Sequence, residues 1–164
     1  TLSKGHDYIT VKEERTHIES YLEIQQFRYQ DILDYEIQMD EEIYGYIIPK
    51  LTLQPLVENA LYHGIKNKRG KGKILITGKK QGDKIIFQVI DNGKGMTEEE
   101  LNSLRKKMAG TDTGDEARGF GVSNVNQRIK YYYGEEYGVF FESKENEGTN
   151  ATIIIAAKNI QLPS

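Results

Sequence analysis

Apolar residues early in the chain recur at helical spacing. Ile18, Tyr21, Leu22 and Gln25 fall on one stripe, and Ile24 and Phe27 widen it. Neither Gly nor Pro interrupts residues 11–29, and Thr10 with Glu13 three positions later forms a capping box. The pattern predicts a long helix starting after Thr10, whereas residues 1–9 are polar and carry no period. From Asp34 to Met39 polar and apolar residues alternate, which predicts a half-buried strand. The change of period near residues 30–33 sets the expected boundary between a helical appendage, residues 1–31, and a main domain, residues 32–164.

A second helical run follows Ile47-Ile48-Pro49 and extends over residues 50–63. Leu53, Leu56, Val57, Ala60 and Leu61 form its apolar face, Pro55 suits a first turn, and Gly64 suits a stop. A basic loop, residues 66–71, leads to two predicted strands, residues 73–79 and 84–90, joined through Gln81-Gly82-Asp83. Asp91-Asn92-Gly93-Lys94-Gly95 breaks the alternation. Thr97 and Glu100 then repeat the capping-box signal for a helix through Met108. Residues 109–118 are small, polar and Gly-containing, the composition of a mobile loop. A third core helix is expected over residues 121–133, and a closing hairpin over residues 139–143 and 149–157.

Composition narrows the function classes. At 164 residues the chain is large enough for one well-filled core, and with 37% hydrophobic and 29% charged residues it reads as globular. The absence of cysteine excludes a disulfide framework and any thiolate metal site. A net charge of -3 and a pI near 5.7 argue against a generally basic nucleic-acid binder. No apolar run approaches the roughly 20 residues of a membrane span. The chain opens on Thr1, mid-register, which suggests an excised fragment.

Three pieces carry candidate chemistry. Asp91 ends the apolar run Ile85-Ile86-Phe87-Gln88-Val89-Ile90, where a carboxylate would sit at the floor of a pocket and accept a hydrogen bond from an exocyclic amine. Gly93 and Gly95 allow a tight turn and close approach of a flat ligand, although Asp-Asn-Gly alone is a common turn. Gly119-Phe120-Gly121, beside Arg118, precedes a helix whose N-terminal amides suit a phosphate. Asn59, on the polar edge of an apolar helix, offers a hard amide oxygen of the kind magnesium accepts.

Taken in order, these pieces resemble the ATP-binding fold shared by gyrase B, the Hsp90 chaperones, MutL and the sensor histidine kinases. Leu53-Gln54-Pro55-Leu56-Val57-Glu58-Asn59-Ala60-Leu61-Tyr62-His63-Gly64-Ile65 is similar to the asparagine box of LytS/YesM-like sensor histidine kinases. Gly119-Phe120-Gly121-Val122-Ser123-Asn124-Val125-Asn126-Gln127-Arg128-Ile129 resembles their second glycine box. The segment from Glu13 to Tyr29 resembles what lies just upstream, so the likeness covers roughly residues 10–157.

The resemblance implies an α+β two-layer sandwich of the Bergerat type. Its sheet would be mixed but mostly antiparallel, with three main helices on one face and an N-terminal helix in front. Residues 1–31 would be the end of a dimerisation and phosphoacceptor helical region, and residues 32–164 the catalytic domain. Asn59 would contact the magnesium on the ATP phosphates, with His63 one turn further along. Asp91 would hold the adenine amine with help from Thr149, and Gly93, Gly95 and Met96 would line the base. Gly119, Phe120 and Gly121 would approach the phosphates, with Asn124 in a supporting role and residues 109–118 as a lid. The implied reaction is phosphoryl transfer from ATP to a histidine upstream of this chain, and onward to a response-regulator aspartate. A homodimer through the upstream helices, a cytoplasmic location and a membrane-anchored parent are implied as well, with no nucleic-acid partner and no direct membrane contact by this segment.

The sequence departs from the family at several points. None of His6, His17 and His63 stands in a phosphoacceptor motif. Tyr62 stands where many histidine kinases carry Lys, leaving Lys66 or Lys68 as substitutes. Pro55 occupies the place, four residues before Asn59, where gyrase and Hsp90 put a water-activating Glu, and proline cannot act as a base. The alternatives are a nucleotide-gated docking module without catalysis, and an ATP hydrolase or clamp.

Overall fold

The computed structural model describes residues 7–30, 32–66, 70–110 and 120–160. The capping box forms as expected. The Glu13 N–H donates to Thr10 Oγ1 at 3.1 Å, and the Thr10 N–H donates to Glu13 Oε1 at 3.1 Å. They open helix α1 (Val11–Arg28), which directly follows a short strand, β1 (Tyr8–Thr10), that the polar opening residues gave no sign of. β1 pairs antiparallel with β3 (Ile47–Pro49) in a two-stranded ribbon. Only part of the apolar stripe of α1 is used. Ile18, Leu22 and Gln25 are buried, whereas Ile24 and Phe27 are 65% and 80% exposed. Those two lie on the outer side of the helix and do not widen the buried face.

The main sheet has the order β2-β4-β5-β7-β6. It is built from β2 (Leu33–Met39), β4 (Gly72–Gln81), β5 (Lys84–Asp91), β6 (Gly138–Lys144) and β7 (Gly148–Ala156). β2 runs parallel to β4 and every other neighbour is antiparallel, the mixed, mostly antiparallel sheet expected. Side chains alternate across it. Ile74 and Ile76, Ile85, Phe87 and Val89, Ile153 and Ile155, and Val139 and Phe141 all point to one buried face. The core on that face is completed by α2 (Gln54–Asn59), α3 (Glu98–Met108) and α4 (Phe120–Tyr133). α3 starts on the second predicted capping box, Thr97 with Glu100. Asn126 of α4 ties this layer together: its amide donates to the Met108 carbonyl, and its oxygen accepts from the Val139 N–H at 2.8 Å.

Gly64 is not a stop. The chain continues past α2 as a π-helical turn, Ala60–Ile65, with Gly64 buried inside it. The third residue of the tyrosine run, Tyr133, is packed in the core, while Tyr131 is 82% exposed.

α1 is joined to the domain by a buried carboxylate as well as by apolar contact. Glu14 is 2% exposed and accepts from the Thr52 N–H (3.2 Å) and the Leu53 N–H (2.6 Å), immediately before α2. Burial raises its pKa from 4.5 to about 7, against the opposing pull of those amides, the Leu51 amide and the Arg128 charge. A folded-state pKa above the unfolded one means that the folded chain binds this proton more tightly. The associated stability is therefore full below about pH 4.5 and is lost as pH rises through about 7. The expected result is a melting temperature that declines between pH 5 and pH 8 and a flatter profile in Glu14→Gln, read by thermal melts in matched buffers. Identical profiles for the two proteins would contradict it.

Candidate functional site

Asp91 owes its position to strand alternation. Ile85, Phe87 and Val89 face the core, and Asp91 is the next residue on that face, 6% exposed at the strand end. A carboxylate there is an exception to the rule that keeps charge at the surface, and it needs partners. One is the Gly93 N–H, which donates to Asp91 Oδ1 at 2.8 Å and closes a tight turn. Another neighbour is the π-helical turn. A Cβ placed on Gly64 would stand 2.7 Å from Asp91 Oδ1, so only glycine lets the helix backbone reach the carboxylate. A Cβ on Gly93 would in turn overlap the Gly64 backbone. The asparagine-bearing helix and the Asp-x-Gly turn are thus packed backbone to backbone.

The far side is closed by the β6–β7 turn. Thr149 lies directly across from Asp91 in the β5–β7 register. Gly148, at φ +114°, has no room for a side chain, since its Cβ would overlap the Asp91 carbonyl oxygen. Gly95, at φ +66°, is pressed against the Lys144 carbonyl. The Asn146 N–H donates to the Lys94 carbonyl at 2.6 Å, and the Lys94 N–H donates to the Gly64 carbonyl at 3.3 Å. Ser143 fixes the remaining polar groups. Its Oγ accepts from the Met96 N–H at 2.9 Å and lies 2.8 Å from Thr149 Oγ1 and 3.0 Å from the Gly148 carbonyl. The Met96 side chain itself is buried at 4% exposure. Sequence reasoning missed Ser143 and the packing role of Gly64. A serine in a hairpin strand has no distinctive local signal, and a glycine after a helical run reads as a terminator.

The other half of the candidate site is built by α2 and α4. Asn59 is the last residue of α2, half-buried, and His63 lies four residues on, on the same face of the continuing helix. Gly121, in the first turn of α4, faces Pro55 of α2, with only 3.6 Å from its potential Cβ to the proline. A separate cleft of about 680 Å³ between these two helices is lined by Leu51, Pro55, Gly121, Asn124, Gln127, Arg128 and Tyr131, and not by Asn59, His63 or Asp91. Phe120 opens α4. Gly119, Arg118 and most of the expected lid, residues 111–118, lie outside the described residues, as does Lys68. Lys66 is placed over the rings of Tyr29 and Tyr62, 4.9 Å and 4.4 Å from their centroids. Its hydrogen bond to the Tyr29 hydroxyl, more than its charge, lowers the pKa of Tyr29. Among the described residues no group of three or more His, Asp or Glu is arranged to hold a metal ion.

The donor set suits a purine nucleotide. It offers a buried carboxylate acceptor for an amine, a hydroxyl pair beside it, and glycine backbone around it, with an amide oxygen on the adjoining helix. Gly64→Ala should weaken nucleotide binding about tenfold or more, because relieving this contact displaces Asp91 and costs the ligand a hydrogen bond to a charged group, worth about 1.5–3 kcal/mol. Calorimetric titration alongside a thermal melt checks it. A lower melting temperature with unchanged affinity would contradict it.

Comparison with known proteins gives the same reading. Residues 49–159 match the profile of the histidine kinase-, DNA gyrase B-, and HSP90-like ATPases. The sensor histidine kinase YesM of Bacillus subtilis is 35% identical over 153 residues, covering 93% of this chain and 25% of YesM. The sensor protein LytS of Staphylococcus saprophyticus is 29% identical over 153 residues, again 93% of this chain and 25% of LytS. The chain thus spans about a quarter of the length of these relatives. The nucleotide-free catalytic domain of the histidine kinase ThkA superposes with a TM-score of 0.68 at 19% identity, covering 92% of this chain and 97% of that one. At that identity the likeness is one of fold. The chain belongs to the histidine kinase-, DNA gyrase B- and HSP90-like ATPase family and has the fold of a histidine kinase catalytic domain.

Proposed function

We propose that the chain is the ATP-binding catalytic domain of a two-component sensor histidine kinase. It would bind Mg-ATP and direct the γ-phosphoryl group to a histidine on helices upstream, from which it passes to an aspartate of a response-regulator receiver domain. The observation that carries this reading is the buried Asp91, paired in register with Thr149 and backed by Gly64 of the Asn59-bearing helix.

In this reading Asp91 accepts the adenine amine, and Thr149, with its hydroxyl oriented by Ser143, assists directly or through a water. The Gly93, Gly95 and Met96 backbone shapes the wall beside the base. Asn59 would hold magnesium on the triphosphate, where the ion supplies charge neutralisation. His63 borders the phosphates. Phe120 and Gly121 would present the N-terminus of α4 to them, with Gly119 preceding it in the sequence, so that oriented amides stabilise charge developing on the transferred group.

Residues 1–31 would be the end of the dimerisation helices of a homodimer, and residues 32–164 the catalytic unit. α1 shares the core of that unit through Ile18 and Leu22. The segment would work in the cytoplasm beneath a membrane-anchored sensor, without contacting lipid or nucleic acid. Among the described residues no helix is long and apolar enough to cross a membrane. The hydrolase reading is disfavoured by Pro55, which sits in the first turn of α2 where a base would be required.

The test is transfer of label from γ-labelled ATP. The chain alone should gain no acid-labile phosphate, while the longer protein carrying the upstream histidine should gain it. Acid-labile labelling of the chain alone would contradict the assignment of the acceptor. Failure of the longer protein to become labelled while still binding ATP would favour a docking module.

A further inference from the structure

The carboxylate of Glu14 links α1 to both helices that border the cleft. Three consecutive residues before α2 surround it: the Thr52 and Leu53 N–H groups donate to its two oxygens, and the Leu51 amide faces it as well. Successive amides that converge in this way form a backbone nest for an anion. The nest requires an unusual conformation, since Leu51 lies at φ 59°, a region that bulky residues rarely enter. α4 holds the same turn from the other side. Arg128 Nη2 donates to the Leu51 carbonyl at 2.9 Å, and the Arg128 charge acts on Glu14. Arg128 is the charged group that α4 presents to this junction. The Asn59-bearing helix begins one residue after the nest, and Gly121 stands two turns before Arg128 on α4.

We infer that Glu14 is a positioning residue through which the placement of α1 fixes α2, and with it Asn59, against α4. The carboxylate touches no reacting atom. It ties the N-cap residue of α2, Leu53, and Thr52 before it to α1, at a helix start where Leu53 makes no side-chain hydrogen bond of its own. Its support comes from a different helix. A shift of α1 therefore draws on the turn that sets where α2 starts, whereas Asp91, held on β5 between Gly93 and Gly64, is anchored to the sheet. As far as it concerns nucleotide, the inference rests on the kinase reading above. It separates the two halves of the site, with the phosphate side responding to α1 and the adenine side much less.

The experiment uses the full chain at pH 8, where Glu14 is ionised, in four forms: wild type, Glu14→Gln, Arg128→Gln, and Leu22→Ala. The last loosens α1 through its apolar face without touching the nest. Amide hydrogen exchange is followed over residues 56–59 relative to β5, and ATP is titrated with and without magnesium. Glu14→Gln turns a donor toward one of the amides. It should speed exchange in residues 56–59 at least tenfold relative to β5 and remove most of the magnesium-dependent gain in ATP affinity. Its magnesium-free affinity should stay within about twofold of wild type. Arg128→Gln should move the same readouts in the same direction, so the inference can still be tested if Glu14→Gln does not fold. Leu22→Ala, which loosens α1 but keeps the carboxylate on its amides, should speed exchange in residues 56–59 by clearly less than Glu14→Gln does. Wild-type exchange at residues 56–59 in both polar variants, or an equal response in Leu22→Ala, would overturn it. A folded wild type that binds no ATP would defeat the kinase reading instead, while the exchange data still decide the role of Glu14.

Discussion

Asp91→Asn is expected to remove measurable ATP binding while leaving the fold nearly as stable as before. The substitution keeps size and shape, and the asparagine oxygen can still accept from the Gly93 N–H, the contact that closes the turn at 2.8 Å in the native protein. With that orientation satisfied, the amide NH2 occupies the other position and faces the adenine amine, so a donor meets a donor where an acceptor stood. The site is buried, with Asp91 6% exposed, so water cannot readily compensate. Losing the hydrogen bond and leaving a polar group unsatisfied costs about 2–4 kcal/mol, or roughly thirty- to a thousandfold in affinity. Titration calorimetry reads the loss, and a melting temperature within a few degrees of wild type shows that the fold is retained. Wild-type affinity in a folded Asp91→Asn protein would remove Asp91 from the site.

Asn59→Ala is expected to act differently. It leaves the adenine side intact and removes the amide oxygen at the last position of α2, a hard ligand of the kind magnesium accepts. Asn59 is half-buried and outside the apolar face, and alanine favours a helix, so stability should hold or rise slightly. An interaction with a charged partner is worth about 1.5–3 kcal/mol, and its loss should cut affinity for Mg-ATP by about ten- to a hundredfold. Affinity for ATP without magnesium should change little. If the ratio of affinities with and without magnesium is the same in Asn59→Ala as in wild type, Asn59 does not hold the ion.

The elements that strong local patterns marked are the ones the structure contains. Both capping boxes form, and the alternation through β5 places Asp91 at a strand end facing the core. What escaped depends on distant parts of the chain. β1 is a strand only because β3 lies beside it, and its three residues, Tyr8-Ile9-Thr10, are too few to show a period even though Ile9 is buried. Ile24 and Phe27 look like core in one dimension, yet they fall outside the arc of α1 that meets the domain. Gly64 reads as a helix stop because its real constraint, the Asp91 carboxylate, is 27 residues away in sequence. Ser143 and Glu14 escaped for the same reason. Each is a polar residue in a polar stretch whose partners, Thr149 and Met96 for one and Thr52 and Leu53 for the other, are chosen by packing.

The most direct measurement is calorimetric titration of the wild-type chain with ATP and ADP, each with and without magnesium. The account predicts one nucleotide per chain, binding of both nucleotides, and tighter binding of ATP when magnesium is present. A well-folded chain that gives no heat with either nucleotide under any of these conditions would contradict a nucleotide site built on Asp91, and with it the assignment of this domain as a kinase catalytic unit.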